Sequence, residues 1–266
     1  MPQPRRRPAA LLGALALAAL GTLGCHSETF NQKLQKQPSN EARYRLAMQE
    51  YQRKHWDNAI AAFDKLTIEL PARDTLLPRC YYYLGMAHVK NGENLLAAQS
   101  FTRLPEAFPD DTLADDAIME AAKAYARLWR RPSLDPQYGQ TALSTYRTLL
   151  GMYPNSPLRD RATREIARLE NMLATKDYEA GMFYLRRKAF DSAIIYFRDV
   201  IRNYPSSSRT KDAYLRLVQA YRAIHYRDDA AEACDAVRRS FPTDAAVRRM
   251  CGAATDTAKA PSQTTP

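Results

Sequence analysis

Three tyrosine–methionine pairs are the side chains of this sequence best suited to recognition: Tyr44/Met48, Tyr82/Met86 and Tyr178/Met182. Residues four apart on a helix share a face, so each pair makes one continuous patch. Tyrosine offers a broad apolar ring with a polar tip, and methionine an adaptable thioether. Tyr51, Lys90, Arg186 and Arg222 lie further along the same faces, where a base can hold an acidic group or a terminal carboxylate. The chemistry is therefore non-covalent capture of apolar or aromatic peptide segments. The competing reading is that these pairs only pack neighbouring helices.

Bond-making chemistry has no comparable signature. The histidines at 26, 55, 88 and 225 are isolated, with no pair three or four apart. There is no Cys-x-x-Cys, Gly-x-Ser-x-Gly, glycine-rich phosphate loop or His-Glu-x-x-His, so no catalytic residue, metal or cofactor is expected. The carboxylate pairs Asp110/Asp111, Asp115/Asp116 and Asp228/Asp229 stand at predicted helix starts, where free backbone N–H groups attract negative charge.

The elements that must position the pairs follow from a five-fold echo. A small residue is followed after twelve positions by alanine, after four more usually by an aromatic, and after eight more by proline. It runs Ala47, Ala59, Phe63, Pro71; Gly85, Ala97, Phe101, Pro109; and Ala122, Ala142, Tyr146, Pro154, with an insertion. It continues as Gly181, Ala193, Phe197, Pro205 and Val218, Ala230, Cys234, Pro242. This is the pattern of a helix-turn-helix repeat of about 34 residues, the tetratricopeptide type. Small residues serve where paired helices cross, the aromatic fills the gap, and proline ends the second helix. The expected fold is all-α, a superhelix of about five such pairs whose first helices line a concave groove.

Helices are expected at Glu41–Lys54, Trp56–Leu70, Thr75–Lys90 and Glu93–Phe108. An inserted loop covers Arg130–Pro136, and a long helix from Leu158 runs on to Lys188 as a middle joint. The domain reading is 1–24 signal peptide, 25–40 anchor and tether, 41–252 repeats ending near 71, 109, 154, 205 and 242, and 253–266 disordered tail.

Arg5, Arg6 and Arg7 precede an apolar run to Leu20, too short to span a bilayer, and then Leu23-Gly24-Cys25. Leu-Gly-Cys resembles a lipobox, so Cys25 is the expected lipidation site. Without the three signal arginines the formal charge of +10 falls to about +7. The remaining charges interleave along helices such as 159–170, as on a solvated face, and no nucleic-acid partner is expected. Beyond Cys25 three cysteines remain, an odd number that excludes a complete disulfide framework. Cys80 begins a helix, and Cys234 reads as a core thiol in the aromatic slot. A bridge from Cys234 to Cys251 is the alternative in an oxidising compartment.

A lipobox, five repeats, Tyr44-Arg45-Leu46-Ala47 leading to Trp56-Asp57-Asn58-Ala59-Ile60, Asp135-Pro136-Gln137 after the third-repeat insertion, and Tyr153-Pro154-Asn155-Ser156 occur together. In these the chain resembles the BamD (YfiO) family of the outer-membrane β-barrel assembly machine. The resemblance implies a non-enzymatic lipoprotein on the periplasmic face of the outer membrane. Its C-terminal repeats would dock a periplasmic domain of the barrel-inserting protein, with Tyr178, Met182, Arg186 and Arg222 as anchors. Its N-terminal repeats would receive the C-terminal strand of unfolded outer-membrane proteins through Tyr44, Met48, Tyr51, Tyr82, Met86 and Lys90. Accessory lipoproteins are further partners. The alternative is a periplasmic repeat adaptor for cell-wall or envelope-constriction machinery. Cys25→Ser is expected to release the protein from membranes, because no other apolar stretch is long enough to hold it. Membrane fractionation at high salt checks this, and retention without any partner protein would refute it.

Overall fold

The computed structural model describes residues 29–252, so Cys25, the 1–24 signal and the 253–266 tail lie outside the described residues. Among the described residues the order is α1 (Phe30–Gln35), α2 (Asn40–Gln52), α3 (Trp56–Glu69), α4 (Leu77–Asn91), α5 (Asn94–Ala107) and α6 (Ala114–Leu128). Then follow α7 (Gln137–Met152), α8 (Arg159–Arg186), α9 (Phe190–Asn203), α10 (Thr210–Ala223), α11 (Arg227–Ser240) and α12 (Ala245–Cys251). Each helix packs on the next, as in an α-α superhelix of five pairs, and α8 also reaches α10.

The echo residues form the crossings. Ala47, Ala59, Ala97, Ala122, Ala142 and Ala193 are wholly buried, as are Phe63, Phe101, Tyr146 and Phe197. Gly85 and Gly181 are required by close approach: a Cβ there would stand 2.7 Å from the Phe101 ring and 2.6 Å from the Phe197 ring. Each second helix ends in the same way. The N–H of Leu70, Phe108, Tyr153, Tyr204 and Phe241 closes the last α-turn at 2.7–3.0 Å, and the following proline stops propagation. The next first helix is then launched by a side chain accepting the N–H two residues on. Asp74, Asp111 and Asp244 do so at 2.8 Å, Ser156 at 3.1 Å and Ser207 at 3.3 Å. The turn within a pair needs one left-handed residue, supplied by Lys54, Gly92, Lys188 and His225 at φ 64°, 85°, 61° and 62°. All four turns carry the Schellman bond that returns to the helix five residues back.

Two expectations change. Residues 30–35, expected within the tether, form α1: Thr29 caps it in a capping box, and Leu34 is buried against the first pair. Cys234 is core, yet it is bridged to Cys251, with Cα atoms 5.4 Å apart. Cys80 stays a free, buried thiol, pushed up to about 12 by its burial and therefore inert.

α8 is continuous through 28 residues. Its first half, with Ala162, Leu169 and Leu173, completes the core of the third pair. Ala174 and Leu185 belong to the core of the last two pairs. The inserted loop is pinned by Trp129, whose ring lies where a Cβ on Gly139 would stand and whose Nε1 donates to the Leu134 carbonyl at 3.4 Å. Lys176 of α8 donates to the same carbonyl at 3.0 Å.

Tyr146 fills a slot that three other pairs give to phenylalanine, and its hydroxyl is buried without a hydrogen-bond partner. An unpaired buried hydroxyl costs about 1–3 kcal/mol. Tyr146→Phe is therefore expected to stabilise the fold by about 1 kcal/mol, read from urea unfolding midpoints; a destabilised variant would mean the hydroxyl has a partner.

Candidate functional site

The tyrosine of each Tyr/Met pair lies against the aromatic of its own helix pair. Tyr44 meets Phe63 edge-on at 5.9 Å and Tyr82 meets Phe101 at 5.7 Å, while Tyr178 tilts on Phe197 at 5.7 Å. Tyrosine therefore recurs where the second helix offers phenylalanine, and the third and fifth pairs, with Tyr146 and Cys234 there, carry Met119 and Leu215 in its place. All three rings are half-buried, and burial pushes the Tyr44 and Tyr82 phenols up to about 12. Met48, Met86 and Met182 are also half-buried, along the edges of the same cores. Each patch thus belongs partly to the core and partly to the surface.

The first two patches join through aromatic contacts. Tyr51 packs edge-on against Trp56 and Tyr83, and Tyr83 in turn touches Phe63 and Tyr82. An aromatic path therefore runs from the first pair to the second. Lys90 is exposed on α4 but stands eight residues from Tyr82, about 12 Å along the helix. Beside Tyr82 the charge is acidic: after burial, Asp116 and Glu120 of α6 are the next causes of its raised pKa. Lys123 pairs with Glu120 at 2.5 Å. A peptide carboxylate is thus favoured at the Lys90 end and opposed at the Asp116 end.

In the fourth pair Tyr178 is contacted by Phe197 and by the Arg209 guanidinium, 5.3 Å from the ring centre. Arg186 is exposed at the end of α8. Arg222, also exposed, has a partner within the chain. Its guanidinium donates to the Met250 carbonyl at 3.0 Å and holds α12. The structure adds two exposed apolar side chains that periodicity did not reveal: Phe183 is 42% and Ile195 60% exposed, with Arg187 lying over the Phe183 ring at 4.2 Å.

Two polar clusters at the within-pair turns were also missed. Glu50, only 6% exposed, accepts from Asn58 at 2.8 Å and lies 3.0 Å from His55 Nδ1. In the second pair the order is reversed, and His88 Nδ1 stands 2.6 Å from Glu93. The signal was present as a swapped Glu/His pair at equal repeat offsets. Asn91 of α4 donates to Asp57 of α3 at 3.2 Å and ties the two turns together. Among the described residues no group of three histidine, cysteine or acidic side chains could hold a metal ion, and no helix is long and apolar enough to cross a membrane.

With this geometry in place, the chain can be set beside known proteins. The family YfiO, described as "Outer membrane lipoprotein", matches residues 36–236, from the end of α1 into α11. This chain belongs to the YfiO family. Relatives include the outer membrane protein assembly factor BamD of Caulobacter vibrioides, 25% identical over 240 residues, which are 90% of this chain and 78% of that one. BamD of Xylella fastidiosa strain Temecula1 is 25% identical over 252 residues, 88% of this chain and 83% of that one. Among solved structures the P58(IPK) tetratricopeptide domain is similar at 16% identity and a TM-score of 0.41, covering 84% of this chain and 61% of that one.

In this YfiO member the matched span includes all the Tyr/Met patches and the Glu50 cluster. Burial raises the Glu50 carboxyl, but hydrogen bonds from Asn58 and His55 and the nearby Arg53 outweigh it and leave the net shift downward. A carboxyl lowered by folding stabilises above the ordinary carboxylate range and loses that contribution as pH falls through it. Glu50→Gln is expected to cost about 1–2 kcal/mol at pH 7. The gap between variant and native protein should narrow as pH falls from about 5 to 3. Urea unfolding at both ends of that range checks this, and a gap independent of pH would show that the charge contributes nothing.

Proposed function

We propose that this chain is a non-enzymatic lipoprotein component of the outer-membrane β-barrel assembly machine. It scaffolds the barrel-inserting subunit and receives unfolded outer-membrane proteins. The observation that carries this reading is the similarity to BamD of C. vibrioides through 90% of the chain. It agrees with a fold that offers extended surfaces and no catalytic constellation. Acyl chains on Cys25 hold the protein to the periplasmic face of the outer membrane.

The division of labour follows the two ends of the stack. The first two pairs, with the path Tyr44, Met48, Tyr51, Tyr82 and Met86, take an aromatic-rich terminal strand whose carboxylate is drawn to Lys90. The fourth pair holds the folded partner domain through Tyr178, Met182 and Arg186, beside the exposed Phe183 and Ile195. Aromatic and arginine side chains are the usual anchors of such interfaces. Arg222 supports that end from within by fastening α12. Accessory lipoproteins are further partners of the assembled machine.

A pull-down from detergent-solubilised envelopes is expected to recover the barrel-inserting protein. Recovery of wall-synthesis or constriction proteins in its place would overturn the reading in favour of an envelope adaptor. Within the complex, Arg186→Glu should weaken partner binding by about 1–3 kcal/mol and spare peptide binding. Tyr44→Ala with Tyr82→Ala should do the reverse. Titrating both ligands against both variants checks the assignment, and equal losses in both would refute it.

A further inference from the structure

The C-terminal end of the stack carries chemistry that neither recognition region uses. α12 has seven residues, too few to hold a helix unaided. Its own Val247 is buried, and Asp244 caps it while pairing with Lys211 at 2.8 Å. Arg222 and Arg238 donate to the carbonyls of Met250 and Cys251, at 3.0 and 2.8 Å, and the Cys234–Cys251 bridge closes the connection. Over that bridge opens a cavity of about 300 Å³, lined by both cysteines, Ala230, Ala231 and three arginines, Arg222, Arg227 and Arg238. No carboxylate lines it. Asp235 pairs with Arg238 from the same helix.

We propose that Cys234–Cys251 is a redox-active disulfide, a site for a dithiol reductant, whose opening frees α12 and uncovers the end of the stack. Cys251 is partly exposed and Cys234 is buried, so Cys251 Sγ is the sulfur that an incoming thiolate reaches. The arginine-lined cavity draws that anion in. Attack on Cys251 forms a mixed disulfide and breaks the Cys234–Cys251 bond, whose electron pair leaves on Cys234. The leaving sulfur has the Arg222 guanidinium 4.0 Å away. Neighbouring cations favour a thiolate, and a stabilised thiolate leaves faster. The second thiol of the reductant then attacks the mixed disulfide and releases Cys251. The two protein sulfurs take up the two protons that the dithiol gives up, and the dithiol departs as a disulfide.

Reduction removes the covalent cross-link between α11 and α12, which are then joined only through the main chain of residues 241–244. What remains is a seven-residue helix held by two arginines, an ion pair, the buried Val247 and the partly buried Met250. α12 begins beyond residue 236, where the family match ends, and the inference is independent of the barrel-assembly reading.

The test uses the full folded chain treated with excess dithiothreitol, with cysteine alkylation followed by mass spectrometry. Reduction is expected under native conditions at a rate proportional to dithiothreitol concentration. Amide exchange over 245–251 should then rise about tenfold while the first four pairs stay unchanged. Arg227→Gln removes cavity charge from a residue that does not fasten α12, and should slow reduction about two- to fivefold. Cys251→Ser should reproduce the exchange pattern without reductant. A reduction rate independent of dithiothreitol and equal to that of global unfolding would overturn the proposal. So would an unchanged rate in Arg227→Gln, or an α12 that stays protected once its disulfide is open.

Discussion

Everything in this stack depends on one close crossing, where a first helix gives up its side chain so that a ring from the second can enter. At Gly85 and Gly181 even a β-carbon would come within 2.7 Å of the entering phenylalanine. That proximity makes each helix pair a rigid unit, and it also sets the recognition surface. The tyrosine three residues earlier lies against the same ring, as Tyr82 and Tyr178 do. Such aromatic contacts contribute about 0.5–1.5 kcal/mol beyond the area they bury. Groove and core are therefore not independent, and a change made to improve binding also acts on the crossing.

The repeats are linked by backbone chemistry that uses little glycine. Of the four left-handed turn residues, only one is glycine; two are lysines and one is histidine. Each non-glycine residue there carries a strain of about 1–3 kcal/mol. The Schellman bonds hold these turns in place. Between pairs, proline followed by an aspartate or serine turn ends one helix and starts the next. Identical punctuation at each junction sets successive pairs in similar geometry, as curved solenoids require.

The stack departs from regularity at two places, and both bear on function. α8 belongs to two cores, so the third and fourth pairs cannot move apart without breaking a helix about 42 Å long. The peptide-receiving and partner-holding regions proposed for the two ends are thereby joined by a stiff element. At the far end a very short helix completes the core of the last pair and depends on arginine contacts and a disulfide to stay there.

Much of this was legible in the residues because it is local. The period, the paired helices, the stops at Pro71 to Pro242 and the long helix through Tyr178 all follow from helix hydrogen bonding and proline's missing donor, which act within a few residues. The Tyr/Met patches were legible for the same reason. Their partial burial was not, since it depends on rings nineteen residues away. The use of Arg222 to hold Met250, the acidic wall beside Tyr82 and the reversed Glu50–His55 and His88–Glu93 pairs also became visible only in three dimensions. The pairing of Cys234 with Cys251, open as an alternative in the sequence, was likewise decided by the fold. In each case a side chain's role was set by which distant neighbour the superhelix brought within a few ångströms. Periodicity names the helix face that a residue shares, but not what the folded chain sets against it.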